Sequence, residues 1–371
     1  MLLKGRFIFE RIIRTYSYVQ LEANRHDRNI VAIFGEMLYL FGKNSIGPSY
    51  YLLAGMADKN MPWYKKCQHL GDAKYHQALD ILNPKPYRKI TQNKINEKAF
   101  LTFSKVETAR FLGFYHPVNG FDIEGGTLTN LTELSIILST FQGKNICIKL
   151  PEGFGGKDFF AGKVHLKKRE GTEIGLQCIG TERIQSMSQV LEVYADIIPK
   201  EGLLFEEYIE QCPEYAKFNS TSVNTVRTWV LQTEEGISVI GAYFRIGREG
   251  SLTDNGDGGG IMCPVDIESG TLAKGLLTST PYRDNLTQHC DNHVQLEGTV
   301  LSGWQEIINC SCETLRKLPY TRFAGLDVCM TTSGPAIIEV NVQPDKDGAA
   351  YAQIPSYLLA QAASELERKL L

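Results

Sequence analysis

No stretch of this chain approaches the roughly 20 consecutive apolar residues that a membrane-crossing helix needs. The chain also lacks an internal repeat, a low-complexity tract and a Lys/Arg run longer than three residues. These absences exclude a spanning helix and a solenoid array. They also argue against a nucleic-acid partner, for which no aromatic platform is present either. Nine cysteines are scattered without a Cys-x-x-Cys pair. The odd count excludes a closed disulfide framework, and free thiols in a reducing, cytoplasmic setting are expected. The opening MLLKGRFIFERIIRTYSYVQ lacks the uninterrupted apolar centre of a signal peptide. It reads as a first amphipathic helix rather than a transit peptide or a membrane-surface anchor.

What is present is an ordinary globular composition, 43% hydrophobic and 22% charged over 371 residues, enough for two or three units. The net charge of −3 is unevenly spread. Residues 1–95 hold 15 Lys/Arg against 7 Asp/Glu, a net of +8, which leaves −11 on the remainder. We expect a mainly helical N-terminal segment over 1–95, ending in a linker at LNPKPYRKITQNK. Two further units follow over 96–205 and 206–371. Apolar spacing predicts helices over 97–114, 131–141 and 186–198, near 303–318, and from Tyr357 onward. NICIKL, GTEIGLQCI and LLFEEYIEQ read as strands, and 224–246 as a long hairpin turned at Glu234-Glu235-Gly236. So many hairpins among helices indicate an α+β fold with largely antiparallel sheets.

The hairpin GLDVCMTTSGPAIIEVNVQPD carries Asp327 on one apolar strand and Glu339 and Asn341 on the other. Glu339 and Asn341, two apart, share a strand face, and Asp327 can join them from the partner strand. Carboxylates buried empty are costly, and Mg²⁺ would relieve that cost through oxygen ligands. Alternatively, one acid faces solvent and the hairpin is a sheet edge. Lys149 sits inside the strand CIKLP, just before the glycine-rich EGFGGKD. A lysine beside Gly153, Gly155 and Gly156 suits phosphate oxygens, although many such turns bind nothing. In HCDNH, His289 and His293 lack companions for a zinc site, and a solvated loop is favoured.

Taken in order, these features resemble the ATP-grasp superfamily: a lysine-led helix at Lys98, the strand lysine with its flap, FEEYIE, SVNTVRTWV and the terminal GLDV…GPAIIEVN. NTVRTWVL, FRIGREGSLTDNGDGGG and VDIESGTL are similar to its sugar-transfer-associated branch, related to α-L-glutamate-ligase-type enzymes. The resemblance spans about Asn93 to Asp345. It implies ATP between two α+β subdomains, with the backbone of Glu206, Glu207, Tyr208 and Ile209 against adenine and Glu214 near the ribose. Lys98 and Lys149 would contact phosphates under the Gly153, Gly155 and Gly156 flap, and Asp327, Glu339 and Asn341 would hold Mg²⁺.

The implied activity joins a carboxylate to an amine through an acyl phosphate, with a small-molecule, peptide or sugar-linked acid as substrate. A hydroxyl or phosphate acceptor on the same fold is the alternative. Arg227 would meet the transferring phosphate or the carboxylate, unless it is a surface arginine paired with Glu206 or Glu207. Arg245, between Phe244 and Ile246, is expected to point inward. Asn255 lies in the loop expected to line the reacting centre, unless TDNGDGGG is a surface loop. Room is left for a homodimer.

Overall fold

Strand by strand, the chain builds two antiparallel sheets. The computed structural model describes residues 2–153, 155–168, 172–277, 283 and 285–370, without the side chains of 2–12, 167, 168, 172, 257 and 370.

The helical beginning comprises α1 (Leu2–Arg25), α2 (Ile30–Asn44), α3 (Pro48–Leu53), α4 (Trp63–Lys66), α5 (Asp72–Leu82), α6 (Lys89–Gln92) and α7 (Lys94–Phe103). The first sheet contains β1 (Phe111–Tyr115), β2 (Phe121–Asp122), β3 (Asn145–Lys149), β4 (Phe160–Lys168), β5 (Thr172–Cys178), β6 (Ile184–Ser186) and β7 (Leu203–Glu207). Their spatial order is β2-β1-β7-β3-β4-β5-β6. Helices α8 (Leu131–Ser139), α9 (Met187–Val193) and α10 (Ile198–Glu201) accompany it, and Leu134, Leu138, Val190 and Ile198 close its core with Ile146, Ile148 and Leu176.

After α11 (Pro213–Ala216), the second sheet contains β8 (Thr225–Gln232), β9 (Ile237–Ile246), β10 (Ile261–Val265), β11 (Gly275–Leu277), β12 (Asn285–Leu286), β13 (Phe323–Thr331) and β14 (Gly334–Asn341). Their order is β12-β11-β10-β9-β8-β13-β14. Strand β8 is buried from Thr225 to Leu231 because both its faces are covered. Val226 and Val230 pack toward α12 (Trp304–Lys317), while Trp229 and Leu231 pack toward Tyr75 and Leu79 of α5. Helices α13 (Lys346–Tyr351) and α14 (Tyr357–Leu370) complete that second face.

The expected helix over 97–114 stops at Phe103. Phe103 is 87% exposed, Lys105 adopts φ 53°, and residues from Phe111 form β1 against β7. The three-residue apolar spacing was real, but Val106, Ala109 and Leu112 are buried from a loop and a strand. The expected linker is not one either. Lys85–Arg88 form a 3₁₀ turn, and buried Arg88 donates to Asn83 O, Leu79 O and Asp80. The helix read over 186–198 divides into α9 and α10, whereas the 224–246 hairpin forms as read, and the hairpin of β13 and β14 turns at Thr332-Ser333.

Candidate functional site between the two sheets

Cross-strand register lines up four functional side chains. Glu339 on β14 pairs with Asp327 on β13, Asp327 with Arg227 on β8, and Arg227 with Tyr243 on β9. Directly paired residues point to the same face of an antiparallel sheet, so these four form a row across it. Asn341, opposite Gly325, lies on the same face. A bulge makes this possible: Val328 pairs with Ile337 while Asp327 pairs with Glu339, so Ile338 is the extra residue. Ile337 therefore enters the core while Glu339 turns to the cavity. The β14 edge is covered, since Thr108 bridges Ile337 and Ile337 N donates to Glu107 O.

Asp327 is 3% exposed and holds two guanidinium groups. Arg227 grips it through Nε to Oδ1 and Nη2 to Oδ2 (2.8 Å), and Arg245 Nη1 reaches Oδ2 at 3.0 Å. Arg245 Nη2 also meets Asp254 at 3.0 Å, and Asp254 is bonded by Thr225. Burial works against charge on Asp327, but Arg227 and then Arg245 outweigh it and hold the carboxyl below its usual range. The Arg227 partner is thus Asp327, not Glu206 or Glu207.

The first sheet contributes a second charged cluster. Lys149 Nζ meets fully buried Glu206 at 2.6 Å, and Lys98 Nζ approaches the other Glu206 oxygen at 3.5 Å. Burial disfavours the Lys149 ammonium, but the Glu206 charge prevails and raises its pKa. Lys98 is 2% exposed and also donates to Thr108 Oγ1 at 2.6 Å. It stands behind the cavity and supports Glu206 rather than facing a ligand.

The lysine that α7 brings to the cavity wall is Lys94, one helical turn earlier and on the same face. Its Nζ donates to Gly153 O at 2.6 Å and lies 3.5 Å from Glu339. Helix α7 is capped by Asn93, whose side chain accepts from Ile95 N, and Lys94 N donates to Pro151 O. That cap fixes where the helix starts, and packing alone decides which of its two lysines reaches the cavity.

The glycine turn arches between the lobes. Gly155 and Gly156 have φ of 66° and 68°, and Asn255 Nδ2 donates to Gly155 O at 2.5 Å across the gap. Gly153, Gly155 and Gly156 line one cavity of about 630 Å³ together with Lys94, Lys149, Arg227, Arg245, Asp254, Asn255, Asp327, Glu339 and Asn341. Glu207, Tyr208 and Ile209 form its hinge wall. The Glu207 and Tyr208 amides are already committed to Arg110 O and Asn145 O. Glu206 presents its side chain to the two lysines and is not among the residues lining the cavity. Glu214 is exposed on α11 and outside the cavity wall, because the chain turns away from the hinge at Cys212-Pro213. His289 is buried, not solvated: its Nε2 meets Gly247 O at 3.1 Å, and neighbouring Asp291 is bound by Arg248. The side chain of Asp257 lies outside the described residues.

A profile of the family described as sugar-transfer associated ATP-grasp matches residues 77–357. The chain belongs to that family. Its two sheets are the two lobes of an ATP-grasp fold, and the cavity lies where they meet. Similar solved structures include N5-carboxyaminoimidazole synthase from Aspergillus clavatus in complex with ADP and 5-aminoimidazole ribonucleotide. It has 9% identity and a TM-score of 0.40, covering 75% of this chain and 54% of that one. Another is L-amino acid ligase from Bacillus licheniformis, with 11% identity and a TM-score of 0.39, covering 76% and 51%. A third is ATP-grasp ligase PsnB complexed with minimal precursor, Mg and ADP, with 11% identity and a TM-score of 0.38, covering 77% and 62%. This ATP-grasp chain spans less than two thirds of the length of each. No curated protein matches it significantly. No helix among the described residues is long and apolar enough to cross a membrane.

Proposed function

We propose that this protein is an ATP-dependent ligase that joins a carboxylate to an amine through an acyl phosphate, releasing ADP and phosphate. What carries this reading is the convergence, on one cavity, of ammonium groups from one lobe with guanidinium groups and oxygen donors from the other. Phosphoryl transfer requires charge neutralisation and positioning more than covalent help.

Lys149 and Lys94 would meet the phosphates beneath the glycine turn, which also keeps water from the reacting atoms. Arg227 and Arg245 are oriented by Asp327 and Asp254, and each keeps guanidinium N–H groups beyond those bonds for the moving phosphoryl or the carboxylate. Asn255 would latch the turn over the bound nucleotide.

The donors suit Mg²⁺. Glu339 is one-third exposed toward the cavity, and the Asn341 amide has a buried nitrogen without a partner among the described residues. Both offer hard oxygens, whereas three of the four lone-pair positions of Asp327 already serve arginines, leaving one on Oδ1. Glu339 and Asn341 would hold the ion, with Asp327 chiefly fixing the arginines. Bound there, Mg²⁺ would neutralise phosphate charge.

One part of the cavity wall favours an amine over a hydroxyl or phosphate acceptor. Asp345 and Asp347 line it beside Tyr243, which is 3% exposed and has no hydrogen-bond partner among the described residues. Asp347 already meets Lys346 at 3.0 Å, which leaves Asp345 and the phenol oxygen to suit an ammonium.

The test is ADP release by the purified protein across panels of acids and amines, followed by mass spectrometry of the product. We expect ADP only when both substrates are present, and a product lighter than their sum by one water. ADP formation with a phosphorylated or ester product would replace this reading with the hydroxyl or phosphate alternative.

A further inference from the structure

Helix α2 is apolar on two sides. Ile33, Met37 and Leu40 are buried in a core with Tyr50, Tyr51 and Met56. At the complementary spacing, Val31, Leu38 and Phe41 are 73%, 74% and 60% exposed. A helix apolar all round is ordinarily covered on every side. Here the outer stripe is continued by other rings: Tyr39 lies 5.4 Å from Trp63 between ring centroids, and Trp63 and Tyr64 are exposed on α4.

The charges around this stripe are sorted by depth. Acids are turned inward and spent: Glu36 is bound by Arg28, Lys66 and Tyr51, and Glu22 is buried beside His26. Cations face outward: Lys43 lies over the Tyr39 ring at 5.7 Å, and Arg14 and Lys65 are exposed. Among the described residues of α1 to α4 and their connections, Asp27 is exposed and Asp58 half-buried, Lys59 lying 3.7 Å from Asp27 and His26 3.6 Å from Asp58.

We propose that the outer face of α2, with Trp63 and Tyr64 of α4, docks on the headgroup layer of an anionic membrane. Aliphatic side chains enter the acyl boundary, Trp and Tyr sit at the headgroup level, and Lys and Arg meet lipid phosphates. The charge pattern selects this occupant over a second copy of the chain. A two-fold pairing would set the same cationic rim against itself, at a cost that an anionic surface turns into attraction. The mode is peripheral, consistent with the absence of a spanning helix among the described residues.

The experiment uses the full chain with two vesicle preparations, phosphatidylcholine alone and phosphatidylcholine with about a third phosphatidylglycerol. Trp63 is the reporter, because Trp229 and Trp304 are buried. We expect co-sedimentation with the anionic vesicles at least about tenfold stronger than with neutral ones, and a blue shift of tryptophan emission. About 0.5 M NaCl should weaken the binding. Leu38→Glu with Phe41→Glu should abolish it while circular dichroism and melting temperature stay unchanged, since both side chains are exposed. Equal binding to both vesicles, or none, would overturn the proposal. So would a solution dimer that this double variant splits.

Discussion

At the scale of single residues, the site is organised by buried acids whose partners are cations aimed at the cavity. Removing one partner of a buried pair strands the other charge, which typically costs about 3–5 kcal/mol. Lys149→Met should therefore do two separable things: lower stability by stranding Glu206, and cut ADP release by about a hundredfold or more. Adding Glu206→Gln relieves that charge but leaves Lys98 without its acid, so it should recover part of the urea midpoint and none of the ADP release. Recovery of both would make Lys149 merely structural. Glu97, beside this cluster, has a buried carboxyl without a close hydrogen bond among the described residues. Burial, then the Glu339 charge, pushes it up to about 8 from 4.5. Between those values the folded chain keeps a proton that the unfolded chain has lost, so stability is full below about pH 4.5 and declines toward pH 8. In EDTA, Glu97→Gln should flatten that decline in urea midpoint; parallel curves for variant and parent would refute it. The acids of the hairpin were legible in the sequence because a polar residue in an apolar strand stands out. The choice of Lys94 over Lys98 was not, because both lie on one helix face and only packing decides which is covered. Glu97 gave no signal, since its burial depends on contacts with β14.

At the scale of elements, the flap and the acid-bearing hairpin show what local sequence can encode. Gly156 has φ 68°, and a Cβ there would lie 2.8 Å from Thr253 Cγ2. Gly156→Ala should lower kcat/KM for ATP by about tenfold while leaving the melting temperature unchanged, because the strain falls on a loop. An unchanged kcat/KM would mean the turn does not close over the nucleotide. Glycine content announced this turn, but the Asn255 latch joins residues 100 apart and no sequence pattern marks it. Likewise, the apolar spacing after Glu97 suited a helix until β7 offered Phe111–Tyr115 a strand partner. Propensity gave way to pairing.

At the scale of the whole molecule, the basic helical beginning is part of the body rather than an appendage. Tyr75 packs with Trp229 and donates to Pro344 O at 2.5 Å, and Asn83 donates to Phe323 O and Val342 O. A fragment of residues 96–371 would expose Trp229, Leu231 and Phe323, and it should aggregate or lack a cooperative melt. A soluble, cooperatively melting fragment would show the second sheet to be self-sufficient. The alternation of helices and hairpins made the two lobes readable from sequence. The docking of this third part was not readable, because its contacts span some 240 to 270 residues. Leu53 of that part reaches the cavity wall although it precedes the stretch shared with the family. Chains with the same phosphate machinery but a different beginning would therefore enclose a differently shaped space, so the choice of what is joined can change without altering how it is activated.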